Sequence, residues 1–141
     1  MTDYEEIQNL IARYADAVNR RDFDALAEVF APDAVWDVTG GTKLRHEGAQ
    51  VVPGIRKIVE MGSFLVQIHS PAIIQVDGDR ATSRLTVLEV GELPNYGMRF
   101  EQYGTYDDIL RKSEGQWRFA ERRFTTLNFK KYPLMPDTDK A

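Results

Sequence analysis

Two short turns in the second half of the chain, Asp77-Gly78-Asp79 and Ser113-Glu114-Gly115, constrain its folding more than any other feature. Phe64 to Val76 and Arg80 to Val90 flank the first turn, and Phe100 to Arg111 and Gln116 to Phe129 flank the second. A polar, glycine-bearing link between two β-rich runs marks a hairpin. Long strands joined in this order predict a strongly curved antiparallel sheet. Leu93-Pro94-Asn95-Tyr96-Gly97 reads as a loop between the hairpins.

The first half reads as helix. Thr2 and Glu5 stand at the spacing of a capping box. Ile7, Leu10, Ile11, Tyr14 and Val18 follow on one apolar stripe of about 100°. Asp16 falls near the opposite side of that wheel and Asn19 at the edge of the stripe. Asp22 caps a shorter helix with Phe23, Leu26, Val29 and Phe30 on its apolar face, closed by Pro32 and Asp33. Ala34 to Val38 is a short strand with Ala34, Trp36 and Val38 on one face. Gly40-Gly41 is a turn. A third helix follows Gly48 through Ile55, Ile58 and Val59, with Pro53 implying a late start or a kink. Three helices before one curved, mostly antiparallel sheet give an α+β architecture. Helices over the concave side leave a cone-shaped cavity, the natural place for a ligand. Residues 1–130 read as one domain and 131–141 as a mobile C-terminal tail.

Composition narrows the function. With 141 residues the chain has room for one domain. Eighteen basic against 22 acidic residues leave no broad cationic face, so no nucleic-acid partner is expected. The absence of cysteine excludes disulfides, thiol catalysis and thiolate-held zinc. The two histidines, His46 and His69, lie 23 residues apart and give no metal-ligand spacing. No phosphate-cradling glycine loop or nucleophile elbow is present, and no cofactor is expected. No apolar run approaches the ~18 residues of a membrane span. The acidic start Met1-Thr2-Asp3-Tyr4-Glu5-Glu6 lacks the order of a signal peptide. A cytoplasmic protein with no membrane partner is expected.

Several segments are similar to a known superfamily. Arg13-Tyr14-Ala15, Asn19, Arg21-Asp22-Phe23-Asp24-Ala25-Leu26 and Phe30-Ala31-Pro32-Asp33-Ala34 resemble the opening of nuclear transport factor 2-like domains. His69-Ser70-Pro71, Asp77-Gly78-Asp79-Arg80-Ala81-Thr82, Gly104-Thr105-Tyr106-Asp107-Asp108 and the run Gly115 to Arg123 resemble its SnoaL-like branch. The resemblance spans Tyr4 to Leu127. It implies the cone fold, homodimers, and relatives that include scytalone dehydratase, ketosteroid isomerase, polyketide cyclases and dioxygenase small subunits. It also implies that His69 stands where dehydratase-type members carry their base. Asn19 stands where those members pair an aspartate with that histidine. Tyr14 matches the oxyanion-holding tyrosine of ketosteroid isomerase. Val38 falls where relatives carry a substrate-binding tyrosine or a base, and Gly91 near the second histidine of scytalone dehydratase.

Two classes of function follow. The first is a cofactor-free dehydratase, isomerase or cyclase acting on a small hydrophobic oxygenated molecule. His69 would then serve as base or acid, Asn19 would orient it, and Tyr14 would donate to the substrate oxygen. Trp36, Val38 and Val18 would form wall, with Asp108 as a further contact. The second is a non-catalytic ligand-binding domain or an assembly subunit beside a larger oxygenase. His69 can equally be a strand histidine fixed by a hydrogen bond, Tyr14 core packing, and Trp36 core rather than wall. His46 lies in a polar stretch and is expected to be exposed. Asp107, Asp108, Arg122 and Arg123 read as cross-strand partners of the last hairpin, worth about 0.2–1 kcal/mol per pair. Asp108 is the better candidate of the two aspartates to point inward, because it shares parity with Gly104 and Tyr106.

Overall fold

The computed structural model describes residues 1–40 and 43–135. Helix α1 spans Asp3–Arg20 and opens with the Thr2 hydroxyl accepting the Glu5 N–H at 3.1 Å. The expected stripe of Ile7, Leu10, Ile11, Tyr14 and Val18 is buried. Arg21, at φ 56°, ends the helix in the left-handed conformation and caps the Ala17 and Val18 carbonyls with its N–H. Helix α2 spans Phe23–Glu28, with Asp22 Oδ1 accepting from Ala25 N–H at 3.1 Å.

Strand β1 runs Phe30–Thr39, so Phe30, Pro32 and Asp33 belong to it and not to the end of α2. Pairing with the last strand draws the backbone out of the helix early: Phe119 N–H already donates to the Val29 carbonyl at 2.9 Å. Pro32 lies where the β1 register slips between Phe30 and Val35, the kind of site that tolerates a residue without a donor. Strand β2 (Leu44–Glu47) and a 3₁₀ turn (Gly48–Gln50) lead into α3 (Val51–Glu60). Pro53 sits in the first turn of α3, where its missing N–H has no intrahelical role.

The predicted strand Phe64 to Val76 is two strands, β3 (Phe64–His69) and β4 (Ile73–Asp77), interrupted at Ser70-Pro71-Ala72. Both pair with the long β5 (Arg80–Leu93). A 3₁₀ turn at Pro94–Tyr96 leads to β6 (Met98–Ser113) and β7 (Gln116–Pro133), which continues into the stretch read as tail. The rest of that tail, and Gly41 of the predicted turn, lie outside the described residues. Strand order is β2-β1-β7-β6-β5-β3, with β4 also on β5; among the described residues β1–β7 is the one parallel pairing. The sheet is thus curved and mostly antiparallel, as expected. Helix α1 packs on β3, β4 and β7, while α3 packs on β1 and β2. Among the described residues no helix is long and apolar enough to cross a membrane.

One irregularity decides what faces the interior. Ile109 pairs with Glu121 but Leu110 pairs with Phe119, which leaves Ala120 as an extra residue in β7. Such a bulge switches which side chains point inward. Trp117 and Phe119 are buried before it, and Arg122 and Phe124 after it.

Candidate functional site

The interior between the helices and the sheet holds a buried charge. Arg122 Nε lies 2.9 Å from Asp108 Oδ1, with both side chains fully shielded from solvent. Ser83 donates to the other Asp108 oxygen at 2.8 Å. The guanidinium carbon lies 3.7, 4.1 and 4.4 Å from the ring centres of Tyr106, Tyr14 and Phe119. One carboxylate and three aromatic faces therefore hold the cation. Burial pushes the Asp108 carboxyl up, against the pull of Arg122 and Ser83. Asp108 does point inward, but its oxygens are taken by Arg122 and Ser83 and not turned toward open space. Asp108 and Arg122 are cross-strand partners as expected, and the pair is fully buried. Arg123, by contrast, lies 3.2 Å from Asp37 of β1 and is half exposed.

A hydrogen-bond network rises from this floor. The Tyr14 and Tyr106 hydroxyls are 3.1 Å apart and buried. Burial raises both phenol pKa values above the ordinary range, so both stay neutral at pH 7. Gln67, on the inner face of β3, donates from Nε2 to Tyr106 at 3.2 Å and to Glu89 Oε2 at 2.7 Å. Its Oε1 lies 3.2 Å from His69 Nε2. Gln102 donates to Glu89 Oε1 at 3.3 Å and is itself held by the Thr126 hydroxyl at 3.0 Å. Since Gln67 Oε1 can only accept, His69 carries its hydrogen on Nε2. Nδ1 is then a lone pair, buried and without a partner among the described residues. The imidazole stacks beside Tyr14 and meets Tyr106 edge-on. Burial, and then the Arg122 charge, lower the His69 pKa to about 3. The ring is neutral at physiological pH.

Asn19 does not orient His69. Its Nδ2 donates to the Gln67 carbonyl at 3.0 Å and its Oδ1 accepts the Gln67 N–H at 2.8 Å. The side-chain amide thereby completes the free edge of β3 as a neighbouring strand would. An aspartate here could take the N–H, but would set its second oxygen against the carbonyl. Asn19→Ala is therefore expected to cost about 1–3 kcal/mol in denaturant unfolding, by leaving that backbone pair unsatisfied.

The remaining expected site residues divide between core and rim. Val18 is buried on α1, and Val38 is half-buried, in register with Phe124. Trp36 is buried with its indole N–H lacking a partner of good geometry, and lies in register with Arg122. His46 is half-buried and not exposed: its ring stacks on Trp36 at 6.0 Å. Space for it exists because Gly54 has no side chain, since a Cβ there would meet His46 Cδ2. The interior around Arg122 is thus filled by its rings. Val38, His69, Glu89, Gln102 and Thr126 are only half-buried.

Sequence reasoning missed the place in the site of Gln67, Glu89 and Arg122, the last named only as a cross-strand partner. Alternation could have found two of them. Gln67 shares parity with Leu65 and His69, and Glu89 with Leu85 and Val87, both inward sets. Arg122 was hidden by the bulge at Ala120.

Residues 1–123 match the SnoaL-like domain family. An uncharacterized protein of Mycobacterium tuberculosis H37Rv is 32% identical over 139 residues, spanning 93% of this chain and 89% of that protein. The dehydrochlorinase LinA-type3 of Novosphingobium barchaimii superposes with TM-score 0.82 at 18% identity, covering 95% of this chain and 94% of its own. A candidate scytalone dehydratase of Novosphingobium aromaticivorans superposes with TM-score 0.80 at 20% identity, covering 94% and 89%. At these identities the two structures speak for the fold alone. The chain belongs to the SnoaL-like family, within the nuclear transport factor 2-like fold.

Proposed function

We propose that this domain binds a small hydrophobic, oxygenated ring compound in the half-buried part of the cone and catalyses a cofactor-free proton transfer on it: dehydration, isomerisation or cyclisation. The observation that carries this reading is His69, a neutral imidazole whose Nδ1 lone pair is buried and unpartnered beside two neutral phenols. An unpaired buried acceptor is costly, and a ligand hydroxyl would satisfy it. One hydroxyl hydrogen of the Tyr14–Tyr106 pair remains beyond their mutual bond and donates to a ligand oxygen, and Trp36, Val38 and Val18 form apolar wall. Asp108 acts only by holding Arg122. Two structural neighbours bear the names of elimination enzymes, a dehydrochlorinase and a candidate dehydratase, and such reactions begin with proton removal.

The test uses enolisable bicyclic ketones, 2-tetralone and 2-indanone, with exchange of their α-protons in D₂O followed by NMR. The protein is expected to accelerate exchange. His69→Ala should lower the rate by about tenfold or more while the melting temperature moves by a few degrees. Acceleration that survives His69→Ala removes His69 from the reaction, and no acceleration by the native chain refutes the reading.

A second reading, an assembly or ligand-binding subunit without chemistry, is favoured by one observation: Asn19 is engaged with the backbone, so α1 gives His69 no carboxylate. We also propose a homodimer through the outer sheet face, where Ile68 and Ile73 stand 58% and 59% exposed. Size-exclusion chromatography separates these cases: a stable lone dimer favours the first reading, and obligatory co-purification with a larger subunit the second.

A further inference from the structure

Among the described residues, a second acid besides Asp108 stands on the concave face. Glu89 projects inward from β5, between Gln67 of β3 and Gln102 of β6, its register partners on either side. Both of its oxygens accept from neutral amides, at 2.7 Å from Gln67 and 3.3 Å from Gln102. Among the described residues it forms no ion pair, unlike Asp108, whose charge is matched by Arg122. A half-buried carboxylate without a cation is a stronger base than a solvated one. Burial accordingly raises the Glu89 pKa, against the two amide donors.

The Gln67 amide also joins Glu89 to His69. Its amino group donates to the carboxylate while its carbonyl accepts from His69 Nε2 at 3.2 Å. One side chain thus fixes the His69 tautomer and places the carboxylate on the same face. We propose that Glu89 is the catalytic proton acceptor of this site, with Gln67 as the positioning residue that ties it to His69. This rests on the proton-transfer reading above and names the base for it. His69 is the poorer choice, because an imidazolium with a pKa of about 3 marks a weak base at neutral pH.

In the step, a Glu89 oxygen takes a proton from a carbon beside a substrate carbonyl. The C–H bond breaks, an O–H bond forms on Glu89, and the electron pair enters the enolate. A phenol or a substrate hydroxyl ordered by His69 steadies the enolate oxygen. The proton then returns to another carbon, completing an isomerisation, or joins a departing hydroxide as water, completing a dehydration.

The α-proton exchange of 2-tetralone, measured between pH 4 and 9 on the full chain, tests the assignment. Titratable groups that bear on its profile are Tyr14 on α1, Tyr106 on β6 and, through Gln67, His69 on β3. The native rate is expected to rise with pH through one carboxyl ionisation lying above the ordinary range. Glu89→Gln should lose about 100-fold or more in rate and lose that limb. Glu89→Asp should recover part of the rate with a shifted limb, and carries the comparison if Glu89→Gln fails to fold. His69→Ala should keep the limb on its smaller rate. If the limb and most of the rate persist in Glu89→Gln, or in Glu89→Asp with neither displaced, the assignment is overturned and the proton-transfer reading stands. If the native chain exchanges no probe, both fall.

Discussion

Asp108→Ala is expected to lower the unfolding free energy by about 3–5 kcal/mol, the largest effect of any single substitution considered for this chain. The reason lies in what would be left behind. Arg122 is fully buried, and among the described residues its terminal nitrogens have no hydrogen-bond acceptor and Asp108 is the one carboxylate it pairs with. Three aromatic faces soften the loss but do not neutralise a cation in a dry interior. Removing both charges with volume-conserving apolar residues, Asp108→Leu with Arg122→Met, should recover most of the loss. Arg123→Ala provides the contrast: its partner Asp37 is 3.2 Å away, but the arginine is 49% exposed, and the expected cost is below about 1 kcal/mol. Urea unfolding of the three variants distinguishes a buried, mutually dependent pair from an ordinary ladder pair. Equal costs for Asp108→Ala and Arg123→Ala would contradict the buried-pair account.

The second large effect is on acid stability. His69 in the folded chain has a pKa of about 3, whereas an unfolded histidine titrates near ~6.5. Between those values the unfolded chain binds the extra proton, so stability is fully present above about pH 6.5 and is lost as pH falls toward 3. At pH 4.5 the loss is about 2–3 kcal/mol, roughly 1.4 kcal/mol for each pH unit below the unfolded value. Glu89 and Asp108 act with the opposite sign. Their raised folded pKa values favour the native state at low pH, and that contribution fades as pH rises through their ionisation. The imidazole is isolated by comparing the native chain with His69→Gln in urea at pH 7 and pH 4.5. The difference in stability between the two proteins should shift by that amount in favour of His69→Gln on acidification. No shift would mean that His69 is solvated in the folded state.

The sequence made the α+β cone legible because its signals are local. An apolar stripe at helical spacing, two turns and the alternation along the strands each require only neighbouring residues. The burial of Tyr14 and the inward parity of Asp108 were legible for the same reason, whereas His69 stood out through the family resemblance. What failed was set by pairing between distant segments. Phe30 left the helix because Phe119 pairs with it, and Asn19 found the bare edge of β3 before it could reach His69. Arg122 turned inward because β7 carries one residue more than β6 at Ala120. None of these follows from composition or period, since each depends on strand register. Glu89 is a different case: its parity with Leu85 and Val87 was readable, and an acid on that face already marked an inward carboxylate.

The central claim is that His69 is a dry, neutral, ligand-facing imidazole, and NMR titration of the two imidazoles tests it most directly. His46 supplies the second signal, and the titration is run alone and with 2-tetralone and a panel of hydroxylated ring compounds. The account predicts that His69 stays neutral to below about pH 4 and that its resonances alone move when one compound class binds. A His69 that titrates near ~6.5 and ignores every compound would contradict it.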